Sequence, residues 1–297
     1  MAEVSLTVLY HSQCADGFAA ACVARRYYGL DAIYVPVRYD QPPPVIPPEH
    51  SVLMVDFCYP LAVMRELCDG HTWLTVLDHH ESSVETCKVM TAHQSCTVRH
   101  DIRECGATLA WFYLFPGDPV PSFLEYVRDQ DLWRWELPGS RAVSAAVRSY
   151  GFDFGTWLPW LADSRRVSEL QGQGVHLLRL TEELVRRQAA EARQAVIGGY
   201  WVPVVNASAL QSEVGHALLE AHPLAPLVGV YHDQADGRRK WSLRGAGRLI
   251  VGVEGTLHPI SCAVVAQMYG GGGHRDAAGF VVGPEVIQLE EQSGGAA

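Results

Sequence analysis

Leu74-Thr75-Val76-Leu77-Asp78-His79-His80 is the stretch on which the reading of this chain turns. Leu74 to Leu77, apolar or β-branched throughout, predict a buried strand, and three polar side chains able to hold a metal follow at once. A carboxylate and two imidazoles at the end of a buried strand carry a desolvation cost unless an ion, a phosphate or a set of hydrogen bonds meets them. The triplet alone also fits a polar turn with hydrogen-bonded histidines. The positions of the other carboxylates separate these readings.

Upstream, Val4 to Tyr10 predict a first strand, and His11-Ser-Gln-Cys14-Ala-Asp16-Gly17 forms the loop beyond it. An alanine-rich helix, Phe18 to Tyr28, follows and stops at Gly29. Asp31 to Val37 predict a second strand, the prolines from Pro42 to Pro48 a rigid connector, and Ser51 to Val55 a third strand ending at Asp56. Pro60 opens a short helix over Leu61 to Cys68. The resulting β-α-β-β-α-β order predicts an α/β fold with an open parallel sheet, in which ligands bind outside the carboxyl ends of the strands. His11, Asp16, Asp56 and His79 all fall at that edge. One strand-end Asp is usually a cap or a turn residue; three on the same edge predict a metal site.

Downstream, Gly106 to Asp163 read as helical, and Asp129 and Asp131 stand beside Trp133 and Trp135. Val167 to Ile197 predict one long amphipathic helix, suited equally to joining two domains or to a core. A second α/β unit begins at Tyr200: strands at Trp201–Val205, Leu227–Tyr231 and Arg239–Arg244, and helices at Glu213–Ala221 and Ile260–Met268. Gly270-Gly-Gly-Gly-His274-Arg275-Asp-Ala-Ala-Gly-Phe280 comes next. Such a glycine run lets the backbone approach a ligand closely and turn N–H groups toward an anion. The expected organisation is a catalytic domain over 1–165, a connecting helix over 166–198, a smaller substrate domain over 199–284 and a disordered tail over 285–297.

The 297 residues suffice for two domains with cores of their own. The chain is 48% hydrophobic and 19% charged, with no apolar run long enough to span a bilayer and no signal-peptide pattern at the start. Eight cysteines without CxxC pairs predict reduced, mostly buried thiols in a cytoplasmic protein. A net charge of −10 argues against a general basic surface for long nucleic acid, while leaving room for a local phosphate site.

With these residues in place, the chain resembles the DHH phosphoesterases, in the branch whose second domain carries a GGGH motif. The resemblance runs from His11 to Phe280: an Asp-Gly loop, a strand-end Asp, the Asp-His-His triplet and GGGHRDAAGF, in that order. It implies a phosphodiesterase or exonuclease of the nanoRNase kind, dependent on two divalent ions, with Mn²⁺ preferred and Mg²⁺ acceptable. Position by position, it implies metal ligation by His11, Cys14, Asp16, Asp56, His79 and Asp129, with Asp131 the competing choice for the last. It implies that Asp78 orients His79, that His80 lies near the substrate, and that Arg244, Gly271, Gly272, Gly273, His274 and Arg275 contact the substrate phosphate. Cys14 departs from the pattern, since many relatives place a carboxylate there. It either weakens one ion site or ligates as a thiolate, which would favour softer ions.

Two divalent ions sharing Asp56 could neutralise a phosphoryl group and activate water. No GxSxG elbow or Cys–His pair points to a covalent route. The expected substrates are short oligonucleotides or linear dinucleotides, with bisphosphorylated nucleotides a second class. A nucleotide sensor with little turnover and a cyclic-dinucleotide phosphodiesterase are the alternatives. The apolar residues between Gly106 and Tyr150 are compatible with a homodimer, and nothing specifies its interface.

Overall fold

The computed structural model describes residues 5–39, 41–247, 249–251 and 257–290. It divides into two compact units, Met1–Leu178 and Arg179–Ala297. The first runs β1 (Leu6–His11), α1 (Ala15–Tyr28), β2 (Ala32–Val37), β3 (Ser51–Val55), α2 (Leu61–Gly70), β4 (Leu74–Asp78), α3 (Val84–Met90) and β5 (Cys96–His100). The helices α4 (Gly106–Leu114), α5 (Ser122–Asp131), α6 (Ser140–Arg148) and α7 (Phe154–Ala162) follow, and then α8 (Arg165–Ala189).

The five strands form one all-parallel sheet in the order β2-β1-β3-β4-β5. Parallel strands covered on both faces read as continuous apolar runs, and alternate residues of those runs enter two different cores. Val8, Leu53, Val55 and Leu77 pack with α1, α4, α5 and α7. Leu9, Val52, Met54, Leu74 and Val76 pack under α2 and α3. The chain leaves β1 toward β2 on one side and returns to β3 on the other. The carboxyl ends of β1 and β3 therefore flank the point where strand order reverses, the crevice in which such sheets bind ligands.

The strand β5 and the helix α3 were not expected from the sequence. Cys96–His100 adds an edge strand with Asp78 opposite His100, and its mixed Cys-Thr-Val-Arg-His composition gives a weak strand signal.

The second unit contains β6 (Arg193–Ile197), β7 (Tyr200–Asn206), α9 (Gln211–Ala221), β8 (Leu227–Asp233), β9 (Arg239–Gly245), β10 (Leu249–Val251), β11 (Leu257–Pro259), α10 (Cys262–Gln267), β12 (Gly272–Gly273) and β13 (Ala277–Val282). Its main sheet has the order β12-β13-β9-β8-β7-β6, with β7 and β8 parallel and the other pairs antiparallel.

One correction concerns the long helix. The apolar run read as helical through Ile197 ends its helix at Ala189, and Arg193–Ile197 forms β6, a hairpin with β7. The turn is Gly198-Gly199, both at positive φ (+60° and +85°), the backbone a two-residue hairpin requires. A second concerns the tail. Ile287 is buried and Leu289 pairs with Ala195, so residues 285–290 pack on this unit. The remainder of the expected tail, 291–297, lies outside the described residues. Among the described residues, no helix is long and apolar enough to cross a membrane. All eight cysteines are free, and every one but Cys14 is buried.

Candidate metal and phosphate sites

Every strand end at the switch point delivers a polar side chain. His11 closes β1, Cys14 occupies the N-cap position of α1, and Asp16 sits in that helix's first turn. Asp56 follows β3 in a left-handed conformation (φ +54°), unusual for a residue other than glycine, while its N–H still pairs with Leu77 O at 2.9 Å. Backbone strain of this kind persists where the surroundings hold it, commonly at functional sites. Here it places both Asp56 oxygens between two sets of ligands.

Asp56 Oδ1 lies 3.1 Å from His79 Nε2, and Oδ2 lies 3.5 Å from His11 Nδ1. His79 Nε2 is also 3.6 Å from Asp16 Oδ2 and 3.5 Å from Asp131 Oδ2. Two donor triads result, each with its ligand atoms within 4.8 Å of one another: His11, Cys14 and Asp56, and Asp16, His79 and Asp131. Asp16, Asp56 and His79 are each 1% exposed.

Helix α4 closes the site from behind. Asp16 accepts the N–H groups of Gly106 (2.5 Å) and Ala107 (2.8 Å), capping a helix 90 residues away. Gly106 is required there, since a Cβ would lie 2.5 Å from Asp56 Cβ and 2.8 Å from Asp56 Cα.

Burial, with Asp56 and Asp131 nearby, pushes the Asp16 carboxyl well above the usual carboxylate range. Burial also raises Asp131. At Asp56 burial is outweighed by the imidazoles of His11 and His79, which hold that carboxyl well below the range. His79 is raised well above its ordinary value, because Asp131, Asp56 and Asp16 outweigh its burial. Burial and the same carboxylates push the Cys14 thiol up.

Three carboxylates around one imidazole leave negative charge uncompensated. Asp56 Oδ2 and His11 Nδ1 are buried with no hydrogen-bond partner among the described residues. Asp16, His79 and Asp131 offer oxygen and imidazole donors, and His11, Cys14 and Asp56 add one sulfur; both sets are of the kind that hold a divalent cation.

Two expectations at this site are corrected. Asp78 was expected to hold His79, but its carboxylate serves His80: Oδ1 accepts from His80 Nδ1 at 2.8 Å and Oδ2 from Ser83 Oγ at 2.5 Å. Ser83 Oγ also reaches His80 O (2.8 Å), as does His100 Nε2 (3.0 Å). An Nδ1–H given to Asp78 puts the lone pair of His80 on Nε2. The second correction concerns α5. Asp129 was preferred as a ligand, yet its buried carboxylate accepts the N–H groups of Glu136 (2.9 Å) and Leu137 (3.4 Å), anchoring the following loop. Asp131 is the carboxylate beside His79. Residues two apart on a helix do not face the same side.

In the second unit, Arg244 lies on β9 opposite Ala277 of β13. Its guanidinium donates to Ser242 Oγ (2.9 Å), Leu243 O (2.8 Å) and Ser212 Oγ (2.6 Å), all neutral acceptors. Ser212 lies in the first turn of α9, so this cation sits at the positive end of a helix. Burial lowers its affinity for its proton. Glu213, in the same helical turn, acts on this guanidinium as a counter-charge.

The glycine loop differs from expectation. Gly270 N–H and Gly271 N–H donate to Gln267 O and Ala266 O at the end of α10, and His274 N–H to Ala277 O (2.7 Å). These three are spent within the fold rather than presented to an anion. Gly271 is needed for close packing, because a Cβ there would lie 2.1 Å from Gly279 O. Gly272 and Gly273 form β12 against β13, and Arg275 pairs with Asp276.

Sequence reasoning passed over Ser83, His100 and Gly106. Only Gly106, a glycine opening an apolar helix, carried a usable signal.

No family model matches the chain. It is 24% identical over 297 residues to Uncharacterized protein R106 of Acanthamoeba polyphaga mimivirus, an alignment covering 92% of this chain and 66% of that protein. It is 26% identical over 240 residues to Oligoribonuclease NrnB of Bacillus subtilis, covering 72% of this chain and 54% of that protein. The chain thus spans just under two thirds of the first relative's length and about half of the second's. Among solved structures, the pGpG-specific phosphodiesterase PggH from Vibrio cholerae aligns over 94% of both chains at 12% identity, with a TM-score of 0.47, too loose an overlap to carry an inference. The chain is thus similar over most of its length to an oligoribonuclease, and its ordered Asp-Gly, Asp, Asp-His-His and Gly-Gly-Gly-His motifs resemble those of the DHH phosphoesterases.

Proposed function

We propose that this protein is a metal-dependent phosphodiesterase acting on short oligonucleotides or linear dinucleotides, with bisphosphorylated nucleotides as a second substrate class. The observation that carries the reading is Asp56, whose two oxygens face two separate donor triads. Similarity to an oligoribonuclease supports the substrate class. Manganese suits the mixed imidazole and carboxylate donors best, and magnesium is the alternative.

In this reading His11, Cys14 and Asp56 would hold one ion, and Asp16, His79 and Asp131, beside Asp56, would hold the second. Bound there, divalent ions would supply charge neutralisation on the phosphoryl oxygens and water ionised near neutral pH. The chain's own residues do the rest. Asp16 keeps α4 seated behind the site, and Asp78 with Ser83 fixes the His80 ring at its edge. Arg244 offers a charge-assisted contact to a substrate phosphate, and His274 and Arg275 come just before Ala277, its partner on β13. The acidic chain, at −10, supports small substrates over long nucleic acid.

Alanine at Asp56 or His79 should reduce turnover of a short 5′-phosphorylated oligonucleotide to background in chelator-treated, manganese-restored protein. Unchanged turnover in either variant would sink the assignment. Cys14, standing where relatives place a carboxylate, favours one second reading, a nucleotide sensor with weak chemistry. A large rate gain in Cys14→Asp would mark an impaired site; a loss would mark Cys14 as fitted to catalysis.

A further inference from the structure

Beside the carboxylates stands an aromatic ring that the proposed ligand set does not use. Tyr39 lies two residues past the end of β2, at the same sheet edge as His11. Its ring packs on Phe57 (centroids 4.3 Å apart, planes 30° apart), the fully buried residue that follows Asp56. It meets the imidazoles of His11 (5.4 Å, 70°) and His80 (6.0 Å, 75°) at steep angles. Tyr39 is nevertheless 51% exposed.

Singly exposed aromatics are ordinary on protein surfaces. Trp73 and Tyr27 are comparably exposed, but they precede β4 and end α1, away from the carboxyl ends of the strands. Tyr39 differs in being seated on the segment that carries Asp56 and in touching two imidazoles of the cluster. A phosphodiester held at that cluster brings a sugar and a base with it. An aromatic residue half open to solvent beside the reacting group offers that base a stacking surface. Stacking of this kind tolerates any base, because every base has a π-face.

We infer that Tyr39 is the platform for a nucleobase flanking the scissile phosphate, so that the site selects nucleoside esters over phosphate esters lacking a base. The inference rests on the phosphodiesterase reading above and adds to it the source of nucleotide selectivity. The ring, and not the hydroxyl, performs this role.

The test compares kcat/KM for a linear dinucleotide and for its analogues lacking one base or the other, with Mn²⁺, in the wild type and in Tyr39→Ala, Tyr39→Phe and Tyr39→Trp. The wild type should prefer the intact dinucleotide over one abasic analogue by roughly 5- to 150-fold, the range that loss of one stacked base gives. In Tyr39→Ala this preference should collapse toward unity, chiefly through KM, while Phe and Trp retain it. An unchanged preference in Tyr39→Ala overturns the inference, as does an equal fall on all substrates or a Phe variant behaving like Ala. Equal wild-type turnover of intact and abasic substrates removes Tyr39's role and leaves the phosphodiesterase reading standing. Turnover of none of them removes both.

Discussion

Asp129 and Asp131 lie two residues apart on α5, the first anchoring a loop and the second beside His79, and one pair of substitutions tests the ligand role proposed for Asp131. Asp131→Asn removes a carboxylate 3.5 Å from His79, in a cluster where burial already pushes the group toward its neutral form. Without metal, the loss should leave stability unchanged or slightly raised. With metal, a donor is gone, and a 100-fold weaker ion affinity is a fair expectation, at the upper end of what losing even a supporting group costs. An ion present at 100 times its dissociation constant stabilises the fold by about 2.7 kcal/mol; at a 100-fold higher constant the gain is about 0.4 kcal/mol. At roughly 2–4 °C per kcal/mol for a unit of this size, a manganese-induced rise of about 5–11 °C in melting temperature should shrink to about 1–2 °C. Asp129→Asn should do the reverse. One loop N–H loses its acceptor, at about 1–3 kcal/mol of baseline stability, while the manganese-induced rise stays whole. Thermal melting of both variants with and without Mn²⁺ decides it. A rise lost in Asp129→Asn and kept in Asp131→Asn would refute the reasoning.

Further outcomes follow from the same geometry. Gly106→Ala drives a Cβ into the Asp56 backbone and loosens the Asp16 cap, so it should cost about 1–3 kcal/mol in urea unfolding and weaken manganese binding by calorimetry; a variant with wild-type stability and affinity would show that α4 does not support the site. The cluster also sets a pH dependence. His79, Asp16 and Asp131 are raised in the ion-free fold, so their stabilising contribution is present when they are protonated and is lost as pH rises through their folded values. Asp56 is depressed and acts oppositely, losing its contribution as pH falls. Because metal binding must displace the protons on the raised groups, the manganese-induced gain in melting temperature should widen from about pH 6 to about pH 8; a gain that narrows contradicts the sign. Arg244→Gln should raise KM for a 5′-phosphorylated dinucleotide about 10- to 150-fold, as loss of a charged hydrogen bond of about 1.5–3 kcal/mol implies; an unaltered KM would exclude Arg244 from phosphate recognition.

Much of the first unit was legible because parallel strands buried on both faces announce themselves as apolar runs. Ser51–Val55 and Leu74–Leu77 are such runs, and the residue after each is chemical. Once the strand ends were located, the crevice followed from topology alone. What sequence could not give was direction. Asp78 follows an apolar run as Asp56 does, yet its carboxylate turns to His80 and Ser83. Asp129 and Asp131 read alike beside Trp133 and Trp135, but the helical twist between them decides which one meets His79. The glycine loop read as an anion nest because glycine frees the backbone; where those N–H groups go depends on α10 and β13, which the loop itself does not specify. The strand β6 hid inside an apolar stripe that suits a helix equally well, although Gly198-Gly199 was a usable hairpin signal.

The most direct measurement is turnover by the manganese-restored protein on 5′-phosphorylated oligonucleotides of graded length, with linear and cyclic dinucleotides and a bisphosphorylated nucleotide alongside. The account predicts fastest hydrolysis of the shortest linear species, abolished in Asp56→Ala. Tight binding without turnover of any member, or rates that rise with oligonucleotide length, would contradict it.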